Sequence, residues 1–192
     1  MSTSSHNNNQ TLDAGAIPVR TVFGLVPTSP TYTASNVDIV PVATPTDVIV
    51  LVGSATKTIL VTKFEITPNA TANASLDFYV YKRTTANTGG TSTATAIASN
   101  DSTNPTASAV ARIYSANPSA LGTGTLVRAT RMTLASKSPN GIAIQMWSES
   151  FGTGNQQPIV LRGVGESLAI NLGGQAMPSG IEIYFTLEWV EL

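Results

Sequence analysis

A strict alternation of apolar and polar side chains constrains the fold of this chain more than any other feature. The segment SGIEIYFTLEW, residues 179–189, places every second side chain in one apolar set: Ile181, Ile183, Phe185, Leu187 and Trp189. Successive side chains of a β-strand point to opposite faces of the sheet, so this period of two predicts a strand with one buried face. No segment shows the helical period of about 3.6 residues together with helix caps.

Shorter alternating runs predict further strands. Their expected inward-facing residues are Leu60, Phe64 and Ile66; Leu76, Phe78 and Val80; Ile142, Ile144 and Met146; and Leu168, Ile170 and Leu172. More strands are expected near 37–42, 48–52, 109–114, 126–134 and 158–162. Turn-forming segments separate them, and SPNG at 138–141 is typical of a hairpin turn. About ten short strands with frequent turns predict an all-β fold, an antiparallel β-sandwich of jelly-roll type.

Two segments depart from the strand pattern. Residues 1–36 are polar and interrupted by Pro and Gly, which predicts an extended N-terminal arm ahead of a single β-sandwich domain at 37–192. The segment TTANTGGTSTATAIASNDSTNPTAS, residues 84–108, contains one charge, Asp101, and one large apolar side chain, Ile97. It predicts a long Thr/Ala/Ser-rich loop. A loop of this length is uncommon unless it is functional or disordered, so we expect it to lie across a neighbouring subunit or to remain flexible.

The low content of charged residues limits the kinds of molecule that this protein is expected to bind. Charged residues make up 11% of the chain, against about 25% in a typical domain. A surface of hydroxyls and amides suits close packing against neighbours, because few charges are desolvated. The net charge is −1, and Lys82-Arg83 is the only basic pair. Since binding to phosphates needs a concentrated basic face, no nucleic-acid partner is expected.

The N-terminal segment and the short apolar runs predict a soluble protein made in the cytoplasm. The N-terminal MSTSSHNNNQ lacks the basic and then apolar pattern of a signal peptide. The longest dense apolar run, residues 48–52, is far too short to span a bilayer. No membrane partner is therefore expected. The absence of cysteine excludes disulfides and thiolate chemistry.

Few residues could support catalysis. The only histidine, His6, falls in the predicted arm, so a catalytic triad is not expected. No phosphate-binding loop or zinc-ligand pattern is present. Carboxylates remain at Glu149, Glu166, Glu182 and Glu188, but nothing in their spacing sets two of them across a cleft. The segment NDSTN at 100–104 has one acid and no calcium-loop pattern. We therefore expect no enzyme activity, no cofactor and no metal.

Two sets of residues remain as candidate interaction sites. An apolar cluster within ten residues of the arm is the candidate assembly interface: Ile17, Val19, Val22, Phe23, Leu25 and Val26. Four aromatic residues fall on the non-core parity of their predicted strands: Tyr79, Tyr81, Trp147 and Tyr184. Exposed aromatics on a sheet stack on sugars or anchor an interface. Alternatively, they cover a second buried face beneath the loop and the arm.

Three segments resemble small virion structural proteins of tailed bacteriophages. They are YKRTTANTGGTST at 81–93, STNPTASAVARIYSANPSALGTG at 102–124 and PIVLRGVGESLAINLGG at 158–174, and the similarity covers roughly residues 57–192. The resemblance implies a capsid decoration or cement protein on the virion surface. Its partners would be the major capsid protein and, in a homotrimer, other copies of itself. The alternative is a carbohydrate- or receptor-binding module of a head fibre or tail.

Overall fold

The computed structural model describes residues 29–134, 136, 145–153 and 156–192. Within these ranges the chain forms β-strands and no helix, so none of the described segments is a helix that could cross a membrane. The strands are β1 Thr31–Ile39, β2 Asp47–Val52, β3 Thr58–Asn69, β4 Ala74–Arg83, β5 Thr91–Ala94, β6 Ile97–Ser99, β7 Val110–Ala116, β8 Gly124–Leu134, β9 Trp147–Ser150, β10 Ile159–Arg162, β11 Ser167–Asn171 and β12 Glu182–Glu191. The predicted all-β class is confirmed.

The strands form two antiparallel sheets that pack together. The first sheet has the order β10–β3–β12–β1–β6, and the second has the order β5–β7–β2–β11–β4–β8. β9 also joins the first sheet, because it pairs with residues 63–66 of β3 while β10 pairs with residues 58–61 of the same strand. The predicted β-sandwich is therefore confirmed.

The core between the sheets follows the alternation of the long strands. All five predicted residues of the last strand segment, from Ile181 to Trp189 at every second position, are buried. Phe64 and Phe78 belong to the same buried cluster, and the rings of Tyr32 and Trp189 stack with centroids 6.0 Å apart. The predicted burial of Ile170, Ile183, Phe185 and Leu187 is also confirmed.

The predicted inward face of β3 is wrong over its first half. Leu60 is only half-buried, whereas Ile59 and Val61 are fully buried. The pairing with β12 explains this, because Glu188 pairs with Lys63 while the next residue, Trp189, pairs with Val61. Thr62 is therefore an extra residue in β3, a β-bulge that reverses which side chains face the core. Beyond the bulge, Phe64 and Ile66 face inward as expected.

The predicted parity around β9 is also wrong. Met146 was expected in the core, but its exposure is 60%. Trp147 instead pairs with Ile66, and its ring meets that of Phe64 edge-on at 4.8 Å, so it packs against the core. Residues 142 and 144 and the proposed turn at 138–141 lie outside the described residues.

The boundary between arm and sandwich differs from the prediction. Residues 31–36, which we assigned to the arm, belong to β1 and pair with β12. The strand expected at 37–42 therefore starts earlier and ends at Ile39. Its pairing shifts between Asn36 and Ile39, where Asp38 has a left-handed φ of 58°, and Val37 and Val40 are exposed. The candidate assembly residues from Ile17 to Val26 lie outside the described residues.

Residues 84–108, which were predicted to form one long loop, contain two short paired strands. They contain β5, which is the edge of the second sheet beside β7, and β6, which is the edge of the first sheet beside β1. The segment thus crosses from one sheet to the other and back. Neither β5 nor β6 carries a charged residue. The opposite side of the sandwich differs, because its edge strands carry charges such as Arg128 in β8 and Glu149 in β9.

Candidate functional site

The central strand β11 of the second sheet is buried on both faces. Leu168 and Ile170 face the core, and Ser167, Ala169 and Asn171 on the other face are buried as well. The outer face of this sheet is therefore covered. The segment after β4 and the turn between β7 and β8 supply the cover, since Asn87 and Gly122 bond to each other and to residues of the sheet.

A buried ion pair anchors this cover. Asp47 has no exposure and Arg83 has 5%. The guanidinium donates from Nη2 to Asp47 Oδ1 at 2.7 Å and from Nε to Oδ2 at 3.1 Å. Asn171 Nδ2 and Asn87 Nδ2 donate to the same carboxylate at 2.6 and 2.8 Å. Both charges are therefore fully partnered, as burial requires.

The covering segments fit closely together. Arg83 Nη1 donates to the carbonyl oxygen of Gly122 at 3.0 Å, and the Gly122 amide donates to Asn87 Oδ1 at 2.8 Å. A Cβ atom at position 122 would lie 1.8 Å from the Thr85 carbonyl oxygen, so only glycine fits this approach. Arg83 also lies over the ring of Tyr81, with 4.6 Å between its Cζ and the ring centroid. The cover is thus held by side chains of the sheet beneath it.

A cavity of about 290 Å³ opens between this cover and the sheet. We call it the Arg112 cavity. Its main lining residues are Val50, Val52 and Ser167 of the sheet, Asn87 of the cover, and Ser92, Arg112 and Tyr114 of β5 and β7. In β7 the alternation sets Arg112 and Tyr114 opposite Ala111 and Ile113, which contact the core. The cavity therefore combines a cation, hydroxyls, an amide, an aromatic ring and apolar walls.

Arg112 stands apart from the other described arginines. Arg83, Arg128 and Arg131 each form an ion pair with a carboxylate, and Arg162 is exposed. Arg112 is half-buried and forms no ion pair with any residue that the structure describes. Its contact is a single, long hydrogen bond from Nη1 to Ser92 Oγ at 3.4 Å.

A second cavity, of about 400 Å³, lies beside the edge strand β6. We call it the β6 groove. It is lined mainly by Tyr32, Thr95, Ile97, Asn104, Pro105 and Ala107. Thr95 Oγ1 is buried, and it is the one buried side-chain polar atom of the described chain without a hydrogen-bond partner. An unpaired buried hydroxyl is unusual, since most buried polar groups in proteins have a hydrogen-bond partner.

The wall of the β6 groove is fixed by a buried carboxylate, Glu191. It accepts hydrogen bonds from Ser108 Oγ at 2.6 Å, from the Ser108 and Ala109 amides at 3.0 Å, and from Trp189 Nε1 at 3.1 Å. Burial alone would raise the pKa of Glu191, but these hydrogen bonds outweigh burial and lower it. Tyr32 adds a bond from its hydroxyl to the Pro105 carbonyl oxygen at 2.7 Å.

The four candidate aromatics are all half-buried, and they do not form one platform. Tyr79 and Tyr81 lie on the outer face of the second sheet, with ring centroids 6.4 Å apart. Tyr184 lies on the outer face of the first sheet, where bonding to Asp38 and then burial raise the pKa of its hydroxyl. Trp147 packs against the core. A flat sugar-binding surface shared by all four is therefore not formed.

The four glutamates considered for catalysis each have other partners. Glu149 accepts from Trp147 Nε1 at 3.0 Å and lies 3.6 Å from Arg128 Nε. Glu166 accepts from the Arg162 amide at 2.7 Å and pairs with Lys82 at 3.4 Å. Glu188 lies 4.0 Å from Lys63 Nζ, and Glu182 accepts from the Tyr184 hydroxyl at 3.3 Å.

The segment 100–104 forms a local turn. Asp101 Oδ1 accepts from the amide and the hydroxyl of Thr103, and these bonds lower the pKa of Asp101. Over the described ranges, no three acidic or metal-ligating side chains come together in a group that could hold a metal ion.

Sequence reasoning singled out the segment 84–108, which supplies most of the β6 groove, but missed the residues that build the Arg112 cavity and its cover. Asp47, Arg83 and Asn171 come from three strands, and Arg112 comes from a strand that we predicted without assigning its faces. One local sequence signal could have placed Arg112 and Tyr114 on the outer face of the sheet, namely their alternation with the apolar Ala111 and Ile113. Comparison of the chain with protein-family models, with curated proteins and with solved structures gave no match.

Proposed function

We propose that this chain is a non-enzymatic structural protein of a bacteriophage virion, which binds the outside of the capsid and ties neighbouring subunits together. The observation that carries the proposal is the β6 groove, a recess lined by apolar and uncharged polar residues beside a sheet edge that bears no charge. Sheet edges that stay free in solution are commonly protected by charged side chains, and the opposite edges of this sandwich are. An uncharged edge beside a recess without charged residues suits strand addition by a neighbour.

The occupant that we assign to the β6 groove is the arm of a second copy, with its apolar residues 17–26. These residues precede β1, and β1 is the strand next to β6. The Asn100 amide at the end of β6 donates to the Thr31 carbonyl oxygen at 3.0 Å, so each chain enters the sandwich beside this edge.

The strand order is compatible with a viral capsid-associated protein. With β5, β6 and β7 set aside as an insertion, the sheets have the orders β10–β3–β12–β1 and β2–β11–β4–β8. We assign this arrangement to the jelly roll, in which two Greek keys interlock. Viral capsid domains and lectin domains both use this fold, so the fold alone selects neither.

Deleting residues 1–28 tests the proposal. Residues 29 and 30 are kept because the Pro30 carbonyl oxygen accepts the Glu191 amide at 3.0 Å. We expect a folded sandwich that no longer forms trimers in light scattering and no longer cosediments with capsids of the encoding phage. Val22→Ser combined with Phe23→Ser should act like the deletion, whereas Asn7→Ala combined with Asn8→Ala is the matched polar control.

A charge placed on each side of the sandwich provides an independent test. Ile97→Arg should abolish assembly, because it sets a cation in the β6 groove. Leu126→Arg, at an exposed position in β8 on the opposite edge, should leave assembly intact. Capsid binding at unchanged affinity after both the arm deletion and Ile97→Arg would refute the proposal.

The second candidate is a carbohydrate- or receptor-binding module of a head fibre or tail. The Arg112 cavity is the observation that favours it, because it offers polar groups in a concave site.

A further inference from the structure

Arg112 lies in β7, the strand between β2 and β5 in the second sheet. It pairs with Val50 of β2 on one side and with Ala94 of β5 on the other. Both neighbours are apolar, so neither offers a counter-charge. Arg112 lines the Arg112 cavity together with Ser92, the residue to which its guanidinium donates.

The half-buried charge of Arg112 has no carboxylate partner among the residues that the structure describes. Removing a guanidinium from water is unfavourable unless a counter-charge and hydrogen bonds replace the lost hydration. A guanidinium carries five N–H donors, and Ser92 accepts from one of them at a long 3.4 Å. The other strand arginines of this sheet, Arg83, Arg128 and Arg131, each have a carboxylate. A carboxylate is the group whose two oxygens match this planar fork.

We infer that the Arg112 cavity binds one acidic sugar residue, with the sugar carboxylate against the guanidinium of Arg112. The volume of about 290 Å³ leaves room for a ring beyond the carboxylate. Tyr114 and Val50 offer apolar surface to the ring face, and Ser92, Ser167 and Asn87 offer polar groups at its rim. Sugars bind through this combination of apolar contact and directed hydrogen bonds. An Asp or Glu side chain of another protein would pair with the Arg112 guanidinium but would make no contact with the apolar surface and polar rim of the cavity.

The cavity wall is held in place before any ligand binds. Asn87, which lines the cavity, is fixed by its bonds to Asp47 Oδ2 and to the Gly122 amide, both at 2.8 Å. The ion pair of Asp47 and Arg83 in turn fixes the cover. A preformed wall lowers the conformational cost of binding. This inference concerns a face separate from the β6 groove, so it stands or falls independently of capsid binding.

Titration of the full chain with methyl α-galacturonide tests the inference. Amide resonances followed by NMR should shift around Ser92, Arg112 and Ser167, while methyl α-galactoside, the neutral sugar of the same shape, should produce no saturable shift. Arg112→Gln should weaken binding of the uronide by about tenfold or more, as loss of a charge-assisted pair does. Arg162→Gln, at an exposed arginine of β10, is the matched control and should bind like the wild type.

Four results would overturn the inference, and three of them come from the titrations. They are equal binding of the charged and neutral sugars, unchanged binding by Arg112→Gln, and absence of saturable shifts at the cavity in the wild type. A change of oligomeric mass in Arg112→Gln without uronide binding by the wild type would also overturn it, and would assign the cation to a protein carboxylate. Because the shifts are mapped on the wild-type chain, the test holds even if the variant folds poorly.

Discussion

Asp47 at the start of β2 and Arg83 at the end of β4 form their ion pair across a third strand. β11 lies between β2 and β4, and its Asn171 donates to the same Asp47 carboxylate at 2.6 Å. The side chains of Asp47 and Arg83 are 0% and 7% exposed. One carboxylate thus joins three adjacent strands and the segment that covers them.

Asp47→Ala should destabilise the fold strongly, because it leaves the buried Arg83 without a counter-charge. Removing one partner of a buried pair lowers the free energy of unfolding by about 3–5 kcal/mol. Urea denaturation measures the change. Arg131→Ala is the matched control, since Arg131 pairs with Asp77 on the exposed face of the same sheet, and it should leave the urea midpoint almost unchanged. Equal losses in the two variants would contradict the structural role of the buried pair.

Glu191 should make stability depend on acid. Its pKa is lower in the folded protein than the ordinary value for glutamate. Its charged form therefore contributes stability above that ordinary value, and the contribution is lost as the pH falls through the lowered pKa. Glu191→Gln should be less stable than the wild type at neutral pH, and the difference should shrink toward acid.

Urea unfolding over a pH series compares Glu191→Gln with the wild type and with Glu188→Gln. The latter changes a half-exposed carboxylate 4.0 Å from Lys63 and should leave the pH dependence close to that of the wild type. A constant difference between Glu191→Gln and the wild type at every pH would show that the carboxylate charge contributes nothing to stability.

Inserting one alanine after Thr62 should be far more damaging than substituting Thr62. With the added residue, Ile59 and Val61 would turn outward if the pairing beyond the bulge is kept and the bulge still holds one extra residue. Exposing each costs about 1.5–3 kcal/mol. Thr62→Ala keeps the bulge and loses one bond from Oγ1 to the Glu188 carbonyl oxygen at 3.1 Å, which contributes about 1 kcal/mol. Thermal unfolding by circular dichroism compares the two, and similar midpoints would refute the register role of the bulge.

The sequence predicted those strands whose alternation runs without a break. β12 and β4 show their buried face directly, because every second side chain is apolar along their length. The buried face of β3 could not be predicted in the same way, because the side chains that face the core change from odd to even positions at Thr62. The position of such a bulge depends on the partner strand. β5 and β6 were missed because they are short and poor in apolar residues, and their strand geometry depends on pairing with β7 and β1.

The candidate site was less predictable than the fold. Asp47 lies 36 residues from Arg83 and 124 residues from Asn171, so only the strand order brings the three together. No local sequence pattern singles out Arg112, because its lack of a carboxylate partner is a property of its neighbours in the fold. The arm residues from Ile17 to Val26 stay a prediction, as do the capsid partner and the absence of catalysis.

The strand order also sets when this chain can fold during its synthesis. β12 lies between β1 and β3, and β11 lies between β2 and β4, so both sheets have late-made strands at their centres. A nascent chain that ends before residue 167 lacks β11 and β12. In each sheet the strands on the two sides of the missing one therefore cannot pair into a continuous sheet. Such a chain exposes unpaired strand edges, which favour misassociation on crowded polysomes. The sandwich therefore closes only after residues 167–191 have left the ribosome.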